Sequence, residues 1–465
     1  MAPTPALRPS QWWRVREGEN RKPHLGVHTA LDSLKKNSER RRTKALLNAK
    51  RVFADLSAFG LQETQADTNE LDWFSFNRLH SGMRSIASKV SSNRVIPFAA
   101  TEGGSSSERR KAGEFNQAIV GIFEEEQIFD RDFEWDCDAL TFDAAVAKVT
   151  KRNGAVDISR VFSFDLYVDP LEARGGWKAV RTLYHRYLID REVVLQMFPD
   201  MDEATRGRVL VAGIDGTDRK FYGTGSENDL ILVTEGWHLA SGPDAGDGRY
   251  FVGIRDATIK DEPYECDDFP FAFMYQLPPV GHVWQVSYVE RNAKAQRTLD
   301  RLCDCLADSV DLASKFRILK HAQTEITPID DTNGTQYEWT GNIPPTEWTM
   351  QPFAPAAFQY MQWLSDGMLS VEGVSEMSAS GNVPAGLRGA SGKALVVADD
   401  TFSEQMAPFM HSREAFYCRV GELALRVARE LAEENGGYVV SCVDGKFLKR
   451  IKFEEIDLGE GNYRL

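Results

Sequence analysis

The chain has 465 residues, enough for about three domains with buried cores, and its 42% hydrophobic and 27% charged residues are those of an ordinary globular protein. A net charge of −14 argues against a protein that grips nucleic acid tightly, because that affinity comes from neutralising phosphates, but not against a wall past which DNA slides. No apolar run approaches the ~18 residues of a membrane span, and Met1–Gln11 lacks the apolar stretch of a secretory signal, so the chain is expected to stay in the cytosol where it is made.

In chain order, the first fifty residues are locally basic, with a run from Lys35 to Arg51 that includes Arg40-Arg41-Arg42. Leu46, Leu47, Val52, Phe53 and Leu56 recur at near-helical spacing, which predicts an amphipathic helix. Its charge reads first as a solvated face and second as a nucleic-acid contact. Leu71–Val90 reads as a second helix, Arg94–Ala99 as an extended segment held at Pro97, Thr101–Ser107 as a Gly/Ser loop, and about Glu108 to Phe129 as a third helix.

From Leu140 the period becomes that of strands. Val146–Lys151 and Ala155–Val161 flank Asn153-Gly154, a strong hairpin signal because both residues tolerate positive φ. Phe164–Val168 runs into an Asp169-Pro170 turn, and Asp190–Phe198 resembles a short helix stopped by Pro199. Strands and Gly/Asp-rich turns, Ser241–Gly248 among them, occupy Gly213 to Phe273, so this half is α+β.

After Pro278-Pro279 the character changes again. Ser287 to about Ile318 contains neither Gly nor Pro and reads as one helix about 45 Å long. Its seam, Leu299, Leu302, Leu306, Val310 and Ala313, suits packing against other helices. Thr327–Pro352 is a compact interruption with Trp339 and Trp348, and a second helix follows from Pro355 to about Glu372. Glu376–Ser391, rich in Ser, Gly and Ala, reads as a loop. A last long helix from about Ser391 to Asn435, bent at Pro408 and ended by Gly436-Gly437, precedes a hairpin of Tyr438–Val443 and Lys446–Phe453.

The string most like an enzyme motif is Gly386-Leu387-Arg388-Gly389-Ala390-Ser391-Gly392-Lys393-Ala394. A phosphate-binding loop needs Gly where Leu387 stands and Ser or Thr where Ala394 stands, so no nucleotide site is expected. No Gly-x-Ser-x-Gly or His-Glu-x-x-His occurs, His238 beside Trp237 reads as a packed residue, and the six cysteines contain no Cys-x-x-Cys pair. No catalytic residue, metal or cofactor is therefore expected. Asp136, Asp138 and Asp143 could form a two-metal nuclease cluster, but their alternation with Trp135, Cys137 and Leu140 suggests a half-exposed segment instead.

Asp300, Asp304, Asp308 and Asp311 fall at i, i+4, i+8 and i+11 and share one face of the long helix, an arrangement that like-charge repulsion disfavours. Two explanations stand: a solvated face partly neutralised by Arg297, Arg301 and Lys315, or an acidic stripe on a channel wall that keeps DNA from sticking.

The order of parts resembles the portal proteins, the head–tail connectors of tailed bacteriophages. Local strings are similar as well: Lys148–Asn153 with Val161–Pro170, Leu195-Gln196-Met197-Phe198-Pro199, the polar start Ala293–Asp300, and Gly373-Val374-Ser375 with Ala390-Ser391-Gly392-Lys393-Ala394-Leu395. The similarity covers about Asn77 to Glu433 at the level of pattern; Met1–Glu70 and the closing hairpin stand outside it. It implies an α+β phage portal fold: an N-terminal segment and α+β wing over 1–286, a stem helix over 287–318 and a small α/β clip over 319–352. A second stem helix over 353–375, a tunnel loop over 376–393, a long kinked wing/crown helix over 394–435 and a C-terminal β segment over 436–465 complete it.

The resemblance further implies a twelve-subunit ring at one capsid vertex of the virion, assembled in the host cytoplasm and without a membrane. Double-stranded DNA would be packaged and ejected through the channel, with Arg388 and Lys393 near it through contacts independent of sequence. The clip would dock the terminase large subunit and later a head–tail adaptor, with Trp339 and Trp348 as anchors or as internal packing. The major capsid protein and a scaffold are further implied partners. Another phage ring or shell protein, or a metal-dependent DNA-processing enzyme using Asp136–Asp143, are the alternatives.

Overall fold

The computed structural model describes residues 10–14, 22–53, 76–101, 106–214, 229–242, 245–314, 317–323, 325–326, 338–347, 355–370, 404–444, 447–458 and 463–465. Helix α1 (Pro23–Phe53) starts at a proline, whose missing N–H costs nothing in a first turn. It buries Val27, Leu31, Leu34, Arg42, Ala45, Ala49 and Val52 along one stripe and so extends well upstream of the predicted basic run. Helix α2 (Arg78–Ser91) is shorter than the predicted Leu71–Val90: Asn77 caps it by accepting the His80 amide at 2.9 Å, and residues 71–75 lie outside the described residues. Helix α3 (Ser106–Glu125) leads, through Gln127 at φ 53°, into α4 (Ile128–Thr141).

The Asn153-Gly154 turn joins β1 (Ala145–Arg152) to β2 (Ala155–Phe162), and both turn residues have positive φ, 52° and 75°, as the two-residue hairpin requires. Strand β3 (Leu166–Val168) follows a short 3-10 turn, and β4 (Thr182–Asp190) runs into α5 (Arg191–Met197), capped by Asp190. After α6 (Glu203–Val211) come β5 (Leu230–His238), β6 (Arg249–Ile254), β7 (Ala257–Pro263) and β8 (Phe271–Met274). Strands β3 to β7 form an antiparallel meander in chain order, while β8 pairs with β1 to make a three-stranded sheet ordered β2-β1-β8.

Strand β1 explains how the two halves of the body are joined. Successive side chains alternate between faces, so Val146 enters the core shared with the meander (Leu183, Trp237, Phe271), whereas Ala145, Ala147 and Val149 enter the helical core. That second core is built on α2, α3, α4 and the last long helix, α9, described below; Phe115, Ile119, Trp135, Phe416, Tyr417 and Leu425 are at most 1% exposed in it.

Helix α7 (Tyr288–Ser314) spans about 40 Å, ending four residues before the predicted Ile318, because Ile318-Leu319 instead form strand β9. Strands β10 (Glu325–Ile326), β11 (Trp339–Thr340) and β12 (Thr346–Glu347) make two small antiparallel pairs, β9 with β12 and β10 with β11. The described part of this insert is therefore strand only. Helix α8 (Pro355–Ser370) returns alongside α7.

Helix α9 (Ala407–Asn435) corrects one expectation. Pro408 does not bend a continuous helix; it stands in the first turn, just after a turn at Met406, where no carbonyl four residues back awaits its missing N–H. Gly436, at φ 64°, ends the helix, and the Gly437 amide donates to the Ala432 carbonyl at 2.9 Å. The chain then forms the hairpin β13 (Val439–Asp444) and β14 (Phe447–Lys452), followed by the single turn α10 (Phe453–Ile456).

Candidate functional site

The most unusual surface of the molecule is where α7, the strand insert and α8 leave the body. The first half of α7 is anchored: Tyr288, Val289, Asn292, Ala293, Gln296, Leu299 and Cys303 are buried. Gln296 is the hinge point of this anchorage. Its carbonyl oxygen accepts the Arg78 amide at 3.0 Å, and its Nε2 donates to the Asp300 carboxylate at 2.6 Å. Beyond Cys303 the predicted seam loses its cover, and Val310 is 58% exposed. The returning α8 carries one charged residue, Asp366, in sixteen, yet only Ser365 and Met368 are fully buried among its described side chains. Phe358, Tyr360 and Trp363 are exposed, with Tyr360 and Trp363 stacked at 5.8 Å. Leu319, Trp339 and Ile343 in the insert are at least half exposed. A contiguous apolar surface of this kind marks an interface.

The acidic residues expected on this helix are placed in graded environments. Asp300 is held by Gln296, Asp304 is half-buried, and Asp308 and Asp311 face solvent on the distal half. Trp339 sits on β11 opposite Ile326 and is 50% exposed. Trp348, Arg388 and Lys393, together with the Gly386–Ala394 string, lie outside the described residues.

The Asp136–Asp143 segment is not half-exposed. It belongs to helix α4 and the turn after it, and Asp136 and Asp138 are 0% and 3% exposed. Each carboxylate meets an arginine brought from a distant part of the chain. Arg413 donates from Nε to Asp136 at 3.1 Å, from Nη2 to Asp132 at 2.7 Å and from Nη1 to the Asn93 carbonyl at 2.6 Å. Arg160 grips Asp138 with two bonds of 2.6 Å, and Arg41 reaches Asp143 at 3.1 Å. Burial lifts the Asp136 carboxyl to about 7 against the pull of Arg413, and lifts that of Asp138 against the pull of Arg160. With cations on these carboxylates the arrangement latches helices rather than collecting a metal. Among the described residues no group of three or more His, Cys, Asp or Glu is placed to hold one. Cys137, in the same helix, has its thiol pushed up to about 12 by burial first and by Asp138 and Asp136 second, which suppresses the thiolate that reactivity needs.

The basic run of α1 is likewise neither a solvated face nor a nucleic-acid contact for its central arginines. Arg41 also donates to the Ser163 carbonyl at 3.1 Å and lies 4.1 Å from the Trp284 ring centroid. Arg42 is 5% exposed and donates to the Tyr167 hydroxyl at 3.1 Å and to Asp165 at 3.3 Å, while Lys44 pairs with Glu290. The helix thus ties the meander to the base of α7.

A second buried ionic group was not visible in the sequence. Lys148 on β1 pairs with Glu235 on β5, which also meets His185 at 3.4 Å and accepts from the Tyr187 and Tyr250 hydroxyls at 3.2 and 3.3 Å. Burial alone would raise the Glu235 carboxyl, but Lys148 and His185 outweigh it and hold the group at about 2. His238 is packed as expected: Trp13 stacks on it at 4.0 Å, and it hydrogen-bonds Thr182 at 2.8 Å.

No protein-family model matches the chain, and no curated protein matches it in sequence. Among the described residues no helix is long and apolar enough to cross a membrane.

Proposed function

We propose that this chain is the subunit of a phage portal, a ring of about twelve copies at one capsid vertex through which double-stranded DNA is packaged and ejected. The observation that carries the reading is the arm: a helix leaving an α+β body, a strand insert and a returning helix whose aromatic residues are left uncovered in one chain. Neighbouring copies would cover them in a heterologous contact that closes by rotation. On this reading the body is the wing, α7 and α8 are the stem, and the insert is the clip that docks the terminase large subunit and then a head–tail adaptor. The major capsid protein and a scaffold contact the ring during assembly, in the host cytoplasm and then in the virion.

The exposed Asp308 and Asp311, with the half-buried Asp304, then give the channel a repulsive wall. Arg388 and Lys393 in the tunnel loop supply contacts to the phosphate backbone that are independent of sequence. No group in this reading is asked to perform chemistry.

Hydroxyl-radical footprinting of the assembled and dissociated protein tests the arm. Phe358, Tyr360 and Trp363 are expected to be protected in the assembly and labelled in the monomer; equal labelling in both would remove the arm from the contact. For the wall, Asp304→Lys with Asp308→Lys is expected to leave rings intact and slow DNA packaging, and unchanged packaging would refute the acidic-channel role.

A further inference from the structure

We infer that the outward face of the β13–β14 hairpin is a docking surface for an acidic, amphipathic helix of a partner protein. The register pairs Val439 with Lys452, Ser441 with Arg450 and Val443 with Leu448, so these six residues share one face. The opposite face is fixed to the body. Val440, Cys442 and Ile451 are buried in the helical core, and β13 rests on α3 at Gly121, where an added Cβ would stand 2.7 Å from the Ser441 carbonyl oxygen. The Ser441 amide donates to Glu125 at 3.1 Å and Lys449 donates to Glu114 at 3.0 Å, which pins the hairpin along α3.

What this leaves outside is a preorganised column of aliphatic side chains flanked by cations. Val439, Val443 and Leu448 are 47%, 59% and 70% exposed, and Arg450 and Lys452 are exposed beside them. No carboxylate belongs to the face, and neither cation forms an ion pair among the described residues.

The chemistry of the face selects its occupant. Water-exposed aliphatic residues in a column favour an apolar stripe laid against them, and two cations at its edge favour carboxylates in the partner. A second copy of this chain, at net charge −14, would approach against its own repulsion. A DNA backbone would use the cations and leave the aliphatic column uncovered. Six-residue strands span about 20 Å, which a helix of about 13 residues matches. This surface does not depend on the portal reading.

The test uses the full chain with three labelled probes: a synthetic amphipathic helix of Leu and Glu, its Leu and Lys counterpart, and a short DNA duplex. Two variants, Leu448→Ser and Arg450→Glu with Lys452→Glu, alter only exposed side chains, and thermal melts confirm their folding. Saturable binding of the Leu/Glu helix, weakened about tenfold by either variant, is the expected result, with no effect of the variants on the other two probes. No saturable binding, or equal binding by wild type and variants, overturns the proposal. So does DNA binding lost on charge reversal, which assigns the face to nucleic acid, or self-association lost in Leu448→Ser, which assigns it to a second copy.

Discussion

Replacing Arg413 by Met removes the cation that joins α9 to α4 while nearly preserving side-chain volume, so the loss is electrostatic rather than a cavity. The guanidinium is 0% exposed and serves Asp132, Asp136 and the Asn93 carbonyl, and its carbon lies 5.2 Å from the Tyr417 ring centroid. Breaking a buried ion pair from one side costs about 3–5 kcal/mol. The lower end is expected here, because burial already holds the Asp136 carboxyl up at about 7 and lets it take a proton at neutral pH for little free energy. The pH dependence has a definite sign. A carboxyl raised in the folded state contributes stability that is present below its unfolded value and lost as pH rises through its folded value. Without Arg413 both carboxyls rise further, so the deficit of the variant should grow between about pH 5 and about pH 8. Urea unfolding at the two pH values measures it, with Trp135, stacked 5.8 Å from Phe416, as a nearby fluorescent reporter. Adding Asp132→Asn and Asp136→Asn should restore part of the loss. A deficit under ~1 kcal/mol that is the same at both pH values, with no rescue, would refute the latch.

Two further outcomes follow from the geometry. Glu235→Gln strands the buried Lys148 ammonium and should cost about 3–5 kcal/mol at neutral pH. The Glu235 carboxyl is depressed to about 2 from an ordinary 4.5, so its contribution is present above 4.5 and lost as pH falls towards 2; acid unfolding of the variant should be correspondingly flatter across that window. Phe358→Ser with Trp363→Ser should leave the melting of the dissociated chain within ~0.5 kcal/mol of wild type, since both rings are exposed there, yet shift sedimentation from the assembled to the dissociated species.

The sequence carried the local elements well where a single residue type decides the backbone. Asn153-Gly154 set the first hairpin, Pro199 the end of α5, and Gly436 the end of α9. It carried the ionic cores poorly, because each pair is long-range: Arg413 meets residues 277 and 281 positions away. A signal was nevertheless present. Asp132, Trp135, Asp136, Ala139 and Leu140 fall at i, i+3, i+4, i+7 and i+8, so two carboxylates lie on the apolar stripe of α4 and require buried cations. Reading that stretch by alternation rather than by helical period made it look half-exposed. The Arg40–Arg42 run misled in the same way, since charge on a helix says nothing of its partners until Asp143 and Asp165 are brought to it. In the arm, the even seam Leu299–Ala313 could not show that cover stops near Cys303 in a single chain; that depends on where the body ends.

Electron microscopy of the purified full-length protein tests the central claim most directly. The portal reading requires end-on views of a ring of about twelve subunits with an axial hole, and side views with the α7–α8 arms converging on that axis. A compact monomer that persists at high protein concentration, or a closed shell without an axial opening, would contradict it.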